Sequence, residues 1–193
     1  MNQSQIIQTL TDTGALLEGH FVLRSGLHSN RFFQAALVMQ YPDIAEKLCS
    51  QLADKFSDYD IDTVVSPAIG GIVVGQEVAR ALGARSVFVE KIDDSTLELR
   101  RGFSLSKNEK VLIAEDVITR GGRVQQTIDT VTSTGANLMG AAVLVDRSAG
   151  SVNFNIPVEH LIELPLATYS PDECPLCKRG IQLEKPGSGS GKK

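Results

Sequence analysis

This sequence predicts an α/β protein with a mainly parallel sheet flanked by helices, and two observations carry the prediction. Short apolar runs rich in β-branched residues recur at 63–66, 86–89, 111–114 and 140–145, the composition of strands covered on both faces. Between them the apolar residues fall at helical spacing, so strands alternate with crossover helices. Crossovers of that kind are right-handed and give a mainly parallel sheet.

Each element has its own signal. Ile6, Ile7 and Leu10, continued imperfectly by Leu16 and Leu17, form the apolar face of an N-terminal helix with Gly14 as an interruption. Residues 20–23 and 31–35 read as two short strands around Ser25-Gly26, a hairpin-like excursion outside the main sheet. Pro42 opens a helix running through Ile44, Leu48, Leu52 and Phe56 at intervals of four. A helix through Val73, Val78 and Leu82, ended by Gly83, joins the strands at 63–66 and 86–89 into a βαβ unit. A helix from about 123 to 133 leads to the strand at 140–145, and 160–164 is a candidate for one more strand.

The chain has 193 residues, 42% of them hydrophobic, which suffices for one packed domain and is short for two. We assign 1–186 to that domain and 187–193, within the polar PGSGSGKK ending, to a flexible tail. A formal net charge of -4 argues against a general nucleic-acid surface. The first residues lack a basic segment followed by an apolar core, and no later run approaches a membrane span, so the cytoplasm is the expected location.

Cys49, Cys174 and Cys177 cannot all pair within one chain. Cys174-Pro-Leu-Cys177 is a CxxC without the second pair that a four-cysteine zinc site needs, so reduced thiols are expected; metal binding across a dimer and a local redox role are the alternatives. His20, His28 and His160 show no metal-ligand spacing and read as packing or surface residues. No Ser-His-Asp or Cys-His nucleophile arrangement emerges from the sequence order.

The stretch VLIAEDVITRGGRV at 111–124 carries the chemistry. An apolar strand ends at two adjacent acids, Glu115 and Asp116, and the carboxyl edge of a strand is where open α/β sheets bind ligands. Adjacent carboxylates accept hydrogen bonds from ribose hydroxyls and can hold a partly hydrated Mg²⁺. Thr119, Arg120, Gly121 and Gly122 then supply small residues whose backbone N–H groups can face an anion, before a helix beginning near Arg123. A second turn, residues 66–71, also links a strand end to a helix and suits another anion such as pyrophosphate; taken alone, it reads equally well as a tight turn with glycine for packing.

The 111–124 pattern resembles the phosphoribosyl pyrophosphate (PRPP) signature of type I phosphoribosyltransferases: strand, two acids, apolar pair, threonine, phosphate loop. Three further segments resemble the orotate phosphoribosyltransferase family over nearly the whole chain. They are FVLRSG at 21–26 followed by SNRFF at 29–33, the Asp146-Arg147 pair, and the carboxyl segment from Tyr169 through Cys174 and Cys177. The resemblance implies a single-domain type I fold with a small N-terminal hood, a homodimer, Mg²⁺ as cofactor, and PRPP and orotate as substrates.

It also implies roles. PRPP would be held by Ala68, Ile69, Gly70, Gly71, Glu115, Asp116, Val117, Ile118, Thr119, Arg120, Gly121, Gly122 and Arg123. Mg²⁺ would be held mainly by PRPP, with Glu115 and Asp116 as candidate ligands. Orotate would meet Arg24, Phe32, Phe33, Thr119 and Arg147, the aromatic faces suiting a flat ring and arginine a carboxylate. Lys91, Arg100, Arg101 and Asp116 would be catalytic, the first three from a lid stabilising the leaving group.

The match has departures. The lid region 90–102 contains no histidine, Glu90 falls where the family usually has arginine, and Gly70 stands where a lysine is expected. Arg120 and Arg123 replace the small or hydroxyl residues more usual in the phosphate loop. Two alternatives follow, a purine phosphoribosyltransferase and a non-catalytic PRPP-sensing transcription regulator of the same fold. The absence of a basic helix or winged N-terminal module counts against the second.

Overall fold

The computed structural model describes residues 1–23, 25–94 and 96–186. The sequence reading treats 1–186 as one domain; the chain divides into two compact units, one comprising Met1 and Met39–Leu164, the other Asn2–Val38 and the chain from Pro165 onward.

The larger unit holds a six-stranded sheet. Its helix α3 (Pro42–Ala53) begins with the proline at its first turn, ends at Ala53 and is followed by a 3-10 segment, Asp54–Tyr59, that buries Phe56. The expected continuous helix through Phe56 is therefore interrupted. Strand β3 (Thr63–Pro67), helix α4 (Gly71–Leu82) and strand β4 (Arg85–Lys91) form the predicted βαβ unit, with Gly83 at φ 68° ending the helix. Short β5 (Leu97–Leu99) returns antiparallel to β4, and then come β6 (Lys110–Ile118), α5 (Gly122–Ser133), β7 (Asn137–Asp146) and β8 (Val158–Glu163). The strand order is β5-β4-β3-β6-β7-β8, all parallel except β5.

That order places the functional edge. From β3 the chain crosses to β4 on one side, and from β6 it crosses to β7 on the other, so the neighbours β3 and β6 flank the topological switch point. Right-handed crossovers in opposite directions put α4 and α5 on opposite faces. On the α5 face, Val111, Ile113, Val124, Ile128 and Val131 are buried. Helix α4 rides close on its own face through Gly71 and Gly75, four residues apart on one side of the helix. A Cβ at Gly75 would collide with Ser66 Oγ, and one at Gly71 would come within 3.2 Å of the Ala114 carbonyl oxygen.

The smaller unit begins with α1 (Gln3–Asp12), capped by Asn2 and Gln5 in a reciprocal box. Leu16 and Leu17, expected to prolong that helix, instead open strand β1 (Leu16–Val22), which pairs antiparallel with β2 (His28–Phe33); the short α2 (Ala36–Met39) runs to the unit boundary. Gly14, at φ 71°, makes the break complete. The C-terminal segment joins this hairpin through β9 (Thr168–Tyr169) beside β2 and through two backbone bonds, from Val22 N–H to Glu184 O at 2.9 Å and from Glu184 N–H to His20 O at 2.8 Å. One turn of helix, α6 (Pro175–Lys178), follows Cys174. The tail at 187–193 lies outside the described residues.

The hairpin contains one irregularity with chemical consequences. Glu18 pairs with Arg31 but Phe21 with Ser29, so Gly19 and His20 oppose the single residue Asn30 in a β-bulge. Beyond the bulge Val22 pairs with His28, and His20, two residues before Val22, shares its face, so the two histidines lie on one face of the hairpin. There His20, His28, Cys174 and Cys177 bring one ligand atom each to within 4.8 Å of one another. Linear spacing gives no sign of this grouping; cross-strand pairing and the returning C-terminal segment bring His20 and His28 beside the two cysteines.

Candidate active site

Two loops and an acid pair converge at the carboxyl edge between β3 and β6. Strand β6 runs four residues further than the sequence suggested, remaining paired to β7 through Ile118↔Asp146, but its last pair with β3 is Val65↔Ile113. Glu115 and Asp116 therefore stand beyond the point where β3 has turned away. The turn after β3, residues 68–71, fills that space; its Ala68-Ile69 peptide is cis, and the Ile69 side chain is 85% exposed. A Cβ at Gly70 would collide with the Asp116 carboxylate, and one at Gly71 would come within 3.1 Å of Glu115 Oε1. The lysine expected at position 70 has no room here while Asp116 keeps its place.

Burial sets the charge state of the acids. Desolvation pushes Glu115 well above the ordinary glutamate range, and the neighbouring Asp116 charge pushes it further; Arg123 offsets this only in part. Desolvation also raises Asp116. The Asp116 N–H donates to Glu115 Oε1 at 3.0 Å. Neither acid makes an ion pair with a cationic side chain among the described residues. The site thus holds a buried Glu115 carboxyl beside a half-buried Asp116, a pair that a cation or hydroxyl donors would satisfy.

Next to them, a cavity of about 440 Å³ is lined by Val117, Ile118, Thr119, Arg120, Gly121, Gly122 and Arg123, together with Lys91, Asp94, Val124 and Gln126. The whole predicted phosphate loop is present in it. Gly121 has φ 75°, and a Cβ there would come within 2.6 Å of both Val152 and Phe154, so both conformation and packing require glycine. The loop runs into the N-terminus of α5, whose free N–H groups favour an anion.

The lid residues divide. Lys91, at the end of β4, faces the phosphate-loop cavity and pairs with Asp94, whose backbone oxygen accepts from Gln126 Nε2 at 3.1 Å. Arg101 lies in a turn at φ 58° and grips Glu90 through two bonds of 2.9 Å; that pairing holds Glu90 below the ordinary glutamate range. Arg100 and Arg101 are not among the residues lining the cavity. Asp94 and Gln126 were not singled out from the sequence, and only their distance from Lys91 in three dimensions marks them.

Of the base-site candidates, Thr119 and Arg147 come together, since the Arg147 N–H donates to Ile118 O at 2.8 Å across the ends of β6 and β7. Arg147 is no surface ion pair with its neighbour. Asp146 instead accepts from the Ser148 N–H at 2.7 Å and faces His160 Nδ1 at 3.9 Å. Arg147 Nε is buried without a hydrogen-bond partner, and desolvation lowers the pKa of the group. A buried, incompletely satisfied guanidinium calls for an anionic acceptor. In the smaller unit Phe33 is buried and Phe32 half-buried, because adjacent strand residues face opposite ways; Phe32 packs on Phe21 with ring centres 5.9 Å apart. Arg24 lies outside the described residues.

Residues 38–165 match the phosphoribosyl transferase domain family. The chain is 50% identical over 188 residues to the orotate phosphoribosyltransferase of Desulforamulus reducens, covering 97% of this chain and 98% of that protein. In fold it is similar to the crystal structure of orotate phosphoribosyltransferase from Aeropyrum pernix, with a TM-score of 0.66, 24% identity and coverage of 82% of this chain and 93% of that one. It is equally similar to adenine phosphoribosyltransferase from Rhodothermus marinus, with a TM-score of 0.65, 22% identity and coverage of 84% and 100%. The fold is thus common to enzymes named for different bases, and the full-length sequence similarity separates them. The chain belongs to the phosphoribosyltransferases and, within them, to the orotate phosphoribosyltransferase family.

Proposed function

We infer that the chain transfers the 5-phosphoribosyl group from PRPP to N1 of orotate, giving orotidine 5′-monophosphate and pyrophosphate, a step of pyrimidine nucleotide synthesis. The observation that carries this reading is the meeting, at one strand edge, of the Glu115-Asp116 pair, two anion-binding turns and Lys91. The bond between C1′ and the pyrophosphate oxygen breaks with its electron pair leaving on pyrophosphate, and orotate N1 forms the new bond to C1′ as its proton passes to pyrophosphate or water. No protein nucleophile is needed for an oxocarbenium-like transition state; the chain positions the reactants and stabilises departing charge.

Thr119, Arg120, Gly121, Gly122 and Arg123 hold the 5′-phosphate, with Val117 and Ile118 shaping the cavity wall. Glu115 and Asp116 orient the ribose hydroxyls, and the turn Ala68, Ile69, Gly70, Gly71 receives the pyrophosphate. Lys91 neutralises charge on the leaving group after exchanging Asp94 for it. Arg100 and Arg101 assist once Arg101 leaves Glu90. Arg147 takes the orotate carboxylate and Thr119 borders the ring, while Arg24, Phe32 and Phe33 stay as base contacts on the resemblance alone.

Mg²⁺ fits this donor set. Two carboxylates are fewer than an all-protein cage needs, so the ion would be held chiefly by the diphosphate, with Glu115 and Asp116 reached directly or through water. When bound it supplies charge neutralisation at the leaving oxygens. A cytoplasmic homodimer completes the reading, supported by the family resemblance and by the prevalence of two-fold dimers. No helix among the described residues is long and apolar enough to cross a membrane.

The base assignment is tested by competition. Purified protein with Mg²⁺ and PRPP is offered orotate and adenine together, and the nucleotide products are identified. Orotidine monophosphate as the product, with orotate KM raised in Arg147→Ala, supports the reading. Adenosine monophosphate as the product overturns the base assignment.

A further inference from the structure

We propose that His20, His28, Cys174 and Cys177 form a structural zinc site that fastens the C-terminal segment to the N-terminal hairpin. The four ligand atoms lie within 4.8 Å of one another. His20 Nε2 lies 3.0 Å from His28 Nδ1, 3.4 Å from Cys174 Sγ and 3.7 Å from Cys177 Sγ, and Cys177 Sγ lies 3.3 Å from His28 Nδ1. A zinc ion bonded at about 2.0–2.1 Å to nitrogen and about 2.3 Å to sulfur spreads tetrahedral ligands roughly 3.3–3.8 Å apart. The cluster needs adjustments of a few tenths of an ångström at most pairs to accept the ion.

The surroundings prepare the donors. A carbonyl only accepts, so His20 Nδ1 carries the proton it donates to Ile181 O at 2.8 Å, and its Nε2 lone pair points into the cluster. His20 lies on the face of His28, and the bulge beside it needs glycine at position 19, since a Cβ there would come within 2.9 Å of the Phe21 ring. Pro175 opens the single turn of α6, which holds Cys174 and Cys177 on one side. His20, His28 and Cys174 are buried, whereas Cys177 is exposed and gives the ion a way in.

The chemistry selects zinc and a structural role. Two thiolates and two neutral imidazoles around Zn²⁺ carry no net charge, which a buried site tolerates. Thiolate and imidazole donors favour zinc over Mg²⁺, and four protein ligands leave no position open for substrate. The ligands come from residues 154 and 157 positions apart in the chain, so the ion closes a long loop and restricts the unfolded chain.

The test is metal analysis of the full-length protein purified without chelator and under reducing conditions, alongside Cys177→Ser, His28→Gln and Cys49→Ala. About one zinc per chain in the wild type and in Cys49→Ala, falling below roughly a tenth in the other two, is the expected result. Because a variant can lose metal by failing to fold, cobalt(II) is also titrated into metal-stripped wild type. A sulfur-to-cobalt charge-transfer band with intense visible bands of a tetrahedral site supports the proposal. Folded, reduced wild type with neither zinc nor that cobalt spectrum overturns it, as does zinc retained by both ligand variants.

Discussion

The catalytic edge of the larger unit and the Cys-His cluster of the smaller one are built by opposite rules. At the edge, the phosphate loop and acid pair come from one continuous stretch, 115–123, and the second turn from another, 68–71. The cluster draws on four residues from both ends of the chain, brought together by cross-strand pairing and the returning C-terminal segment. The charge logic differs too. Glu115 is buried and Asp116 half-buried, adjacent acids whose charged forms stay unfavourable together until a cation or hydroxyl donors arrive, whereas two thiolates are neutralised by a single divalent ion. A site that must bind and release a substrate keeps this electrostatic need open, and a site that holds structure closes it.

The largest expected effect separates the two regions directly. Asp116→Asn should lower turnover about 10²–10³-fold with little loss of stability, since it removes a buried charge. Cys177→Ser should do the reverse, lowering unfolding stability by on the order of 2–4 kcal/mol, the scale of a cross-link over a long loop, with turnover per folded chain retained. Thermal melts and assays on both variants measure this contrast, and a Cys177→Ser protein as stable as wild type would break it. Next, Arg147→Ala should raise the KM for orotate tenfold to a hundredfold, from the loss of about 1.5–3 kcal/mol in a charged hydrogen bond, while PRPP binding by calorimetry stays unchanged. Gly70→Ala should weaken PRPP binding about tenfold, roughly 1.4 kcal/mol, because the new Cβ displaces the Asp116 carboxylate.

The smallest effect is a slope with pH. Glu115 has a raised pKa in the folded chain, so its contribution to stability is fully present below the ordinary glutamate range and is lost as pH rises through the raised value. Denaturant titrations of the free protein across that interval should show stability falling with pH in the wild type and a flatter profile in Glu115→Gln. An identical slope in both would assign the pH dependence to other groups.

The same contrast explains what was legible in the sequence. Strands β3, β4, β6 and β7 and helices α4 and α5 announced themselves through local apolar patterns, and the acids and phosphate loop through contiguity. Leu16 and Leu17 were misread because their apolar character fits the end of a helix as well as the start of a strand, and only Gly14's backbone decides. Phe32 and Phe33 were paired as base contacts although strand alternation turns one of them inward. Arg101 looked available in sequence and is engaged by Glu90 across a hairpin. The histidines give no linear signal because cross-strand pairing, not sequence spacing, sets them beside each other and beside the cysteines.

The measurement that bears most directly on the account is conversion of orotate by purified protein supplied with PRPP and Mg²⁺, run beside folded Asp116→Asn and followed by identification of the nucleotide. The account predicts orotidine monophosphate and pyrophosphate in equal amounts from the wild type, with the rate in Asp116→Asn reduced about 10²–10³-fold. A folded wild-type protein that binds PRPP yet leaves orotate unconsumed, or an Asp116→Asn variant that turns over at the wild-type rate, would contradict it.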